Sequence, residues 1–377
     1  MREIKMVDLA SQYQKIKPEI DTAILEVLEN ASFINGPAVG FFQKELEANL
    51  NIKHVIPCAN GTDALQIALM ALNLVPGDEV ITTDFTFAAS VEVIHLLKLK
   101  SVLVDVDYNT FTIDINAIKK AITPKTKAII PVHIFGQCAN MEEIIKLAQE
   151  NKLHIIEDAA QSIGSNYTFS NGSTAKSGTM GIIGTTSFFP SKNLGCFGDG
   201  GAIFTNDDEM AYKMRGIGNH GMYKRYYHDE IGINSRLDSI QAAILRKKLT
   251  LLEEYNNNRK KAADFYDEKF KNHLNIITPF RAEAYSTHVF HQYTLKIVNS
   301  DRDKLQAYLQ ELNIPSMIYY PVALHNQVAY TKETTYDNND FPVTNKLTKE
   351  VISLPMHTEL DLEQLEFITK SVLNFFN

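Results

Sequence analysis

Apolar positions along the chain follow two rhythms. After Asp8, Ile16, Ile20, Ile24 and Leu28 recur at four-residue steps, the spacing of one helix face, until Asn35-Gly36-Pro37 interrupts the pattern and a second helix runs through Leu46. This part reads as an N-terminal arm packed on the main body. Short apolar strands then alternate with helices. A strand at 55–58 precedes an apolar helix at 64–72; strands follow at 79–82, 101–105 and 127–132; another at 154–158 comes after a helix carrying Ile144, Ile145, Leu147 and Ala148. Strands with no polar face, separated by helices, predict a mainly parallel sheet covered on both sides. Ligands gather at the carboxyl ends of such strands.

A strand at 201–205 and a helix start at 206–209 follow. Residues 215–236, RGIGNHGMYKRYYHDEIGINSR, are too long and too polar for a simple turn, which points to a functional or interfacial segment. Leu237 to Phe270 contains no Pro or Gly and predicts one long helix, a spine between two parts of the chain. Strand-like 288–298, helix-like 301–311, strand-like 317–320 and an amphipathic helix at 361–377 then build a smaller α/β unit. The expected division is a large domain with its arm over residues 1–250 and a small C-terminal domain over 251–377.

Composition narrows the classes. The 377 residues are 45% hydrophobic and 22% charged, with net charge −8 and interspersed signs, so a globular protein without a nucleic-acid-binding face is expected and small molecules are the natural partners. No apolar run approaches membrane-spanning length and the N-terminus has no signal-peptide pattern, which makes a cytoplasmic location the expectation. Cys58, Cys138 and Cys196 show no paired spacing, so neither disulfides nor a metal site are expected and all three read as buried thiols.

Three stretches carry candidate chemistry. Ser187 to Gly201, SFFPSKNLGCFGDGG, places Lys192 between apolar residues and a glycine-rich exit. A lysine becomes nucleophilic only when desolvation or nearby positive charge lowers its pKa, and Phe188, Phe189, Pro190, Leu194 and Phe197 offer that setting. Ala59-Asn60-Gly61-Thr62-Asp63 joins a strand to a helix start, either an anion site or simply a turn and cap. Asp158 ends an apolar strand, either as a helix cap or as a carboxylate awaiting a cationic partner. A lysine for an imine, an acid for a ring nitrogen and donors for a phosphate are together what pyridoxal 5′-phosphate requires of a protein.

Ala59-Asn-Gly-Thr-Asp-Ala-Leu, Glu157-Asp-Ala-Ala-Gln-Ser, Ser187-Phe-Phe-Pro-Ser-Lys, Gly198-Asp-Gly-Gly-Ala and Asn234-Ser-Arg-Leu-Asp, in this order, resemble the pyridoxal-phosphate-dependent nucleotide-sugar aminotransferases of the DegT/DnrJ/EryC/StrS group. The resemblance spans essentially the whole chain. It implies the fold type I transferase architecture, like aspartate aminotransferase, with a large, mostly parallel sheet domain, a small C-terminal domain, and a homodimer with shared active sites. It further implies that Lys192 forms the imine, Asp158 pairs with the ring nitrogen and Gln161 with the ring hydroxyl. Phe87 stacks on the ring, Gly61, Thr62 and Ser187 bind the phosphate, and Asn234 reaches the phosphate from the other subunit. L-Glutamate is the implied donor, leaving as 2-oxoglutarate while the cofactor passes through pyridoxamine 5′-phosphate.

Wording around the lysine resembles the branch acting on 3-keto sugars. Enzymes for 4-keto sugars tend to carry Ser-Phe-His before the lysine and Asn-Tyr-Arg in place of Asn234-Ser235-Arg236. The nearest pattern is that of enzymes aminating UDP-2-acetamido-2-deoxy-3-oxo-glucuronate for bacterial surface polysaccharides such as lipopolysaccharide O-antigen, with dTDP-3-oxo-6-deoxyhexose enzymes as the alternative. A uronate carboxylate suits a guanidinium; Arg236 is the first candidate and Arg225 the second. Tyr320 and His325 match substrate-side positions, whereas Tyr319 stands where the uronate pattern has histidine. A dehydratase relative would carry histidine at position 192, and a non-catalytic regulator would have lost Lys192 or Asp158. A Rossmann enzyme would need Gly-x-Gly-x-x-Gly after its first strand.

Overall fold

The computed structural model describes residues 2–331 and 336–377. Its strands are β1 (His54–Cys58), β2 (Glu79–Thr83), β3 (Lys100–Val104), β4 (Thr126–Ile130), β5 (His154–Asp158), β6 (Asn166–Thr168), β7 (Thr174–Lys176), β8 (Ile183–Ser187), β9 (Gly201–Thr205), β10 (Met222–Lys224), β11 (Tyr227–His228), β12 (Ile276–Ile277), β13 (Tyr293–Ile297) and β14 (Val351–Leu354). Seven of them form the main sheet in the order β1-β9-β8-β5-β4-β2-β3. β9 runs antiparallel to both neighbours, and the other pairs are parallel. β6–β7 and β10–β11 are small ribbons.

Side chains alternate across this sheet with the period of two that a pleated strand imposes. Ile130 of β4 and Ile156 of β5 join the helices Gly61–Ala71, Ala89–Leu96 and Asp208–Ile217 on one face. Their neighbours Ile129 and Ile155 point the other way, into Ile118, Met141, Ile144 and Leu147. A third cluster anchors the lysine-bearing loop: Phe188, Leu194 and Cys196 pack with Phe42 and Leu46 of the helix Pro37–Leu50 and with Leu245. A separate core belongs to β12, β13 and β14, where Tyr293, Leu295 and Leu354 meet Tyr266, Phe270 and Ile368. Ile4 joins that core as well, and the Met356 N–H donates to the Met6 carbonyl at 3.3 Å, so the chain's start is tied to its end.

Several expectations are corrected. The arm's helix restarts at Lys17 with proline in its first turn, which shifts its phase. Ile20, Ala23 and Val27 form the buried stripe, whereas Leu28 is 45% exposed. The predicted single helix is two, Ser239–Leu249 and Leu252–Phe270. Thr250 Oγ1–H donates to the Lys247 carbonyl and Leu251 N–H to that of Lys248, a tightening that ends the first helix. Extension at 288–298 begins only at Tyr293, because Phe290 adopts φ 47°. At 317–320 only Met317 bridges, to Ser353, while Tyr319 and Tyr320 turn to a cavity. All three cysteines are buried and unpaired. No helix among the described residues is long and apolar enough to cross a membrane.

Candidate active site

A cavity of about 600 Å³ lies at the carboxyl end of β5, beside the amino end of the helix Gly61–Ala71. Gly61, Thr62, Phe87, Asp158, Gln161, Ser187, Lys192 and Tyr320 all line it. Residues remote in sequence converge because the two strands carrying Asp158 and Ser187, β5 and β8, are paired neighbours.

Lys192 is held by its loop. The Lys192 N–H donates to the Phe189 carbonyl at 2.8 Å and Cys196 N–H to Phe188 at 2.7 Å. A Cβ on Gly195 would lie 2.3 Å from the Pro190 carbonyl oxygen, so the loop closes only with glycine there. Part of the lysine faces the cavity, yet the protein around it disfavours the charged form and pulls its pKa down to about 8, against the opposing pull of Asp158.

Asp158 has both carboxylate oxygens engaged. Ser90 Oγ–H donates to Oδ2 at 2.8 Å and the Ala160 N–H donates to Oδ1 at 3.2 Å. Behind it, Glu157 is fully buried and accepts from Met180 N–H and Gly181 N–H at 2.5 Å each, Gly178 N–H at 2.9 Å and His133 Nε2–H at 2.8 Å. The strand end is thereby fixed.

At the far side, Asn60 caps the helix, its Oδ1 accepting from Asp63 N–H at 2.8 Å. The amides of Gly61 and Thr62, in the helix's first turn, have no intrahelical acceptor and sit at the positive end of its dipole. A Cβ on Gly61 would stand 2.8 Å from Ser187 Cβ, so glycine is what lets helix and strand approach closely enough to form a cradle. Gln161 is oriented by the Phe135 N–H, which donates to its Oε1 at 2.8 Å, while its Nε2–H donates to Tyr320 Oη at 3.2 Å. Phe87 presents a ring that is 59% exposed.

Four sequence candidates stand outside this cavity. Asn234 is exposed, next to Ser235, whose Oγ accepts the Ala59 N–H at 3.0 Å, and Arg236, half-buried, pairs with no carboxylate among the described residues. Arg225 lies on the β10–β11 ribbon, where its guanidinium covers the Tyr226 ring at 5.0 Å. His325 is buried with both ring nitrogens engaged, Nδ1 by Asp84 at 2.6 Å and Nε2 by Asn338 at 2.9 Å, and Phe341 stacks on it. That imidazole has no free nitrogen for a substrate in this arrangement. Conversely, sequence reading passed over His291, Gln292 and Asp199 on the cavity wall and Ser90 behind Asp158. Asp199 was visible within the Gly-Asp-Gly-Gly motif; the others carried no local signal.

A lysine with a lowered pKa, an anchored carboxylate and an empty-handed helix terminus in one cavity fit pyridoxal 5′-phosphate, and with this sheet they define a fold type I pyridoxal-phosphate transferase. Residues 14–373 match the DegT/DnrJ/EryC1/StrS aminotransferase family, and the chain belongs to it. It is 44% identical to a pleiotropic regulatory protein of Geobacillus stearothermophilus, covering 99% of this chain and 98% of that one. It is also 44% identical to the UDP-2-acetamido-2-deoxy-3-oxo-D-glucuronate aminotransferase of Pseudomonas aeruginosa, covering 98% of this chain and 100% of that one. The crystal structure of NtdA from Bacillus subtilis with bound cofactor PMP superposes with TM-score 0.87 at 32% identity, covering 96% of this chain and 82% of that one. The chain is an aminotransferase, and pyridoxal phosphate is its cofactor.

Proposed function

We propose that the chain transfers the amino group of L-glutamate to a nucleotide-linked 3-keto sugar, UDP-2-acetamido-2-deoxy-3-oxo-D-glucuronate, as a cytoplasmic homodimer serving surface polysaccharide synthesis. The observation that carries the reading is the meeting of Lys192, Asp158 and the helix start at Gly61 in one cavity, joined to full-length similarity with the Pseudomonas aeruginosa enzyme.

When bound, the cofactor supplies a carbonyl carbon that condenses with amines and a ring that takes up the electron pair of a broken Cα–H bond. Lys192 holds it at rest. Its Nζ, when free, would move a proton from the donor Cα to the adjoining carbon, acting as base and then acid. A pKa near 8 suits that exchange close to neutral pH. Asp158, its carboxylate fixed by Ser90 and Ala160, would keep a proton on the ring nitrogen. Gln161 would address the ring hydroxyl, Phe87 would cover the ring, and Gly61, Thr62 and Ser187 would hold the phosphate, joined by Asn234 of the second subunit. Arg236, with Arg225 as the second candidate, receives the sugar carboxylate.

Tyr319, where the uronate pattern has histidine, favours a second reading, a dTDP-3-oxo-6-deoxyhexose aminotransferase. One panel decides. Visible absorption of the holoenzyme is recorded while aminosugar products are added, running the reaction in reverse. Bleaching by the UDP-linked 3-amino-glucuronate alone supports the uronate; bleaching by dTDP-linked 3-amino-6-deoxyhexoses alone overturns it. Folded Lys192→Ala protein transaminating at a near-parental rate would overturn the mechanism.

A further inference from the structure

His291 lies on the cavity wall, only 6% exposed, and its Nδ1 is enclosed with no hydrogen-bond partner among the described residues. An orphaned ring nitrogen is costly to bury. Burial, aided by the charges of Lys192 and Arg259, pushes this imidazole's pKa well down and favours its neutral form, so one of its nitrogens keeps a free lone pair. Behind it runs a polar seam. Arg259 Nη1–H donates to the carbonyls of Phe290, His291 and Met356 at 3.2, 3.3 and 3.0 Å, while its Nε has no partner. Tyr255 Oη, His357 Nε2 and Asn193 Oδ1 are buried without partners as well. Asn193 adjoins Lys192 in the chain, and its amide donates to Val289 O at 2.9 Å, two residues before His291. Clusters of this kind hold internal water.

We propose that His291 is a positioning residue for Lys192: its neutral ring accepts a hydrogen bond from the Lys192 amine, directly or through water of this seam, whenever that amine is not joined to the cofactor. The inference rests on Lys192 being the imine-forming lysine. It gives the displaced amine a resting place on the cavity wall, from which it reaches the substrate carbon. Other ionisable groups face the pair from both sides: Asp158, Asp63, Asp199 and Tyr320 across the cavity, Arg259 and His357 from the seam.

The test compares His291→Phe and His291→Asn holoenzymes in the single-turnover half-reaction with L-glutamate across pH. Both variants should keep the parental cofactor content and resting visible absorption, because Lys192 is tied up in that state. His291→Phe should slow the half-reaction about tenfold or more. Its acid-side limb should move to lower pH, since the ammonium loses an acceptor, and His291→Asn should restore most of the rate. A parental rate and profile in His291→Phe would overturn the proposal, as would equal slowing of both variants with an unmoved profile. Should His291→Phe fail to fold, the crystal structure of the parental enzyme in the cofactor's amine form decides: Lys192 Nζ hydrogen-bonded to the His291 ring or to a shared water supports the inference, and no such contact overturns it. A parental holoenzyme without lysine-bound visible absorption fails the Lys192 reading itself, and this inference with it.

Discussion

Glu157→Gln changes one atom of a fully buried side chain, and its cost can be worked from the four donors around it. Oε1 accepts from the amides of Met180 and Gly181, and Oε2 from the Gly178 amide and His133 Nε2. Whichever way glutamine turns, its NH₂ replaces one oxygen and faces two donors. If it replaces Oε1, two backbone N–H groups are orphaned. If it replaces Oε2, His133 could yield only by moving its proton to Nδ1, but Nδ1 already accepts the Ala139 N–H at 3.1 Å, so the orphan merely moves. A buried unsatisfied donor costs about 1–3 kcal/mol, and two therefore cost about 2–6 kcal/mol, with the lost charge favouring the upper half. Urea unfolding of parent and variant, followed by circular dichroism, measures the difference. A loss below about 1 kcal/mol would show that the network does not hold the end of β5 as argued.

Two further perturbations probe the cradle and the loop beside it. Gly61→Ala puts a methyl 2.8 Å from Ser187 Cβ and 3.3 Å from Ser187 Cα, neighbours that are backbone-anchored. Overpacking of about 1–3 kcal/mol falls on the helix start, so cofactor affinity should drop about tenfold by spectroscopic titration, and parental affinity would refute the cradle. For His325, burial opposes the charge but Asp84 and Asn338 face both ring nitrogens and raise its pKa above the ordinary value of 6.5. A raised folded-state pKa contributes stability that is complete below about pH 6.5 and fades as pH climbs through the folded value. The parent's urea midpoint should therefore fall across that window more steeply than that of His325→Gln; parallel pH curves would refute it.

What could be read from the sequence was chemistry imposed locally. Gly61 was legible because the close approach of a helix start to a strand admits nothing larger, and Asp158 because an acid ending an apolar strand needs a reason. Lys192 gained meaning only from that company. His291 was illegible, since its role depends on Lys192 and Arg259, which lie far from it in sequence. Arg259 sits in a helix whose polar residues look solvated, yet the arginine is 2% exposed and caps three carbonyls. The helix break after Leu249 was equally hidden: no proline or glycine marks it, only bonds from Thr250 and Leu251 back to the preceding turn. His325 shows the opposite limit, since its motif position says nothing of Asp84 closing over it.

Charge supplies the argument for a second subunit. Among the described residues of one chain, the cavity wall carries Asp63, Asp158 and Asp199 against Lys192 as its one cation. A proton on the cofactor ring offsets Asp158, but a phosphate, a sugar carboxylate and a nucleoside diphosphate would add negative charge to a site that already lacks positive charge. Like charges at contact distance cost several kcal/mol in a half-buried setting, so such a ligand would be repelled rather than held. Cations are present elsewhere on the chain: Arg236, paired with no carboxylate among the described residues, and Lys224 and Arg225, resting on exposed tyrosine rings. All three lie in the polar stretch 215–236, outside the cavity of their own chain. None of the three lines this wall, and none is matched by a carboxylate among the described residues. A second copy presenting that stretch to this cavity, as the proposed homodimer would, balances both accounts at once.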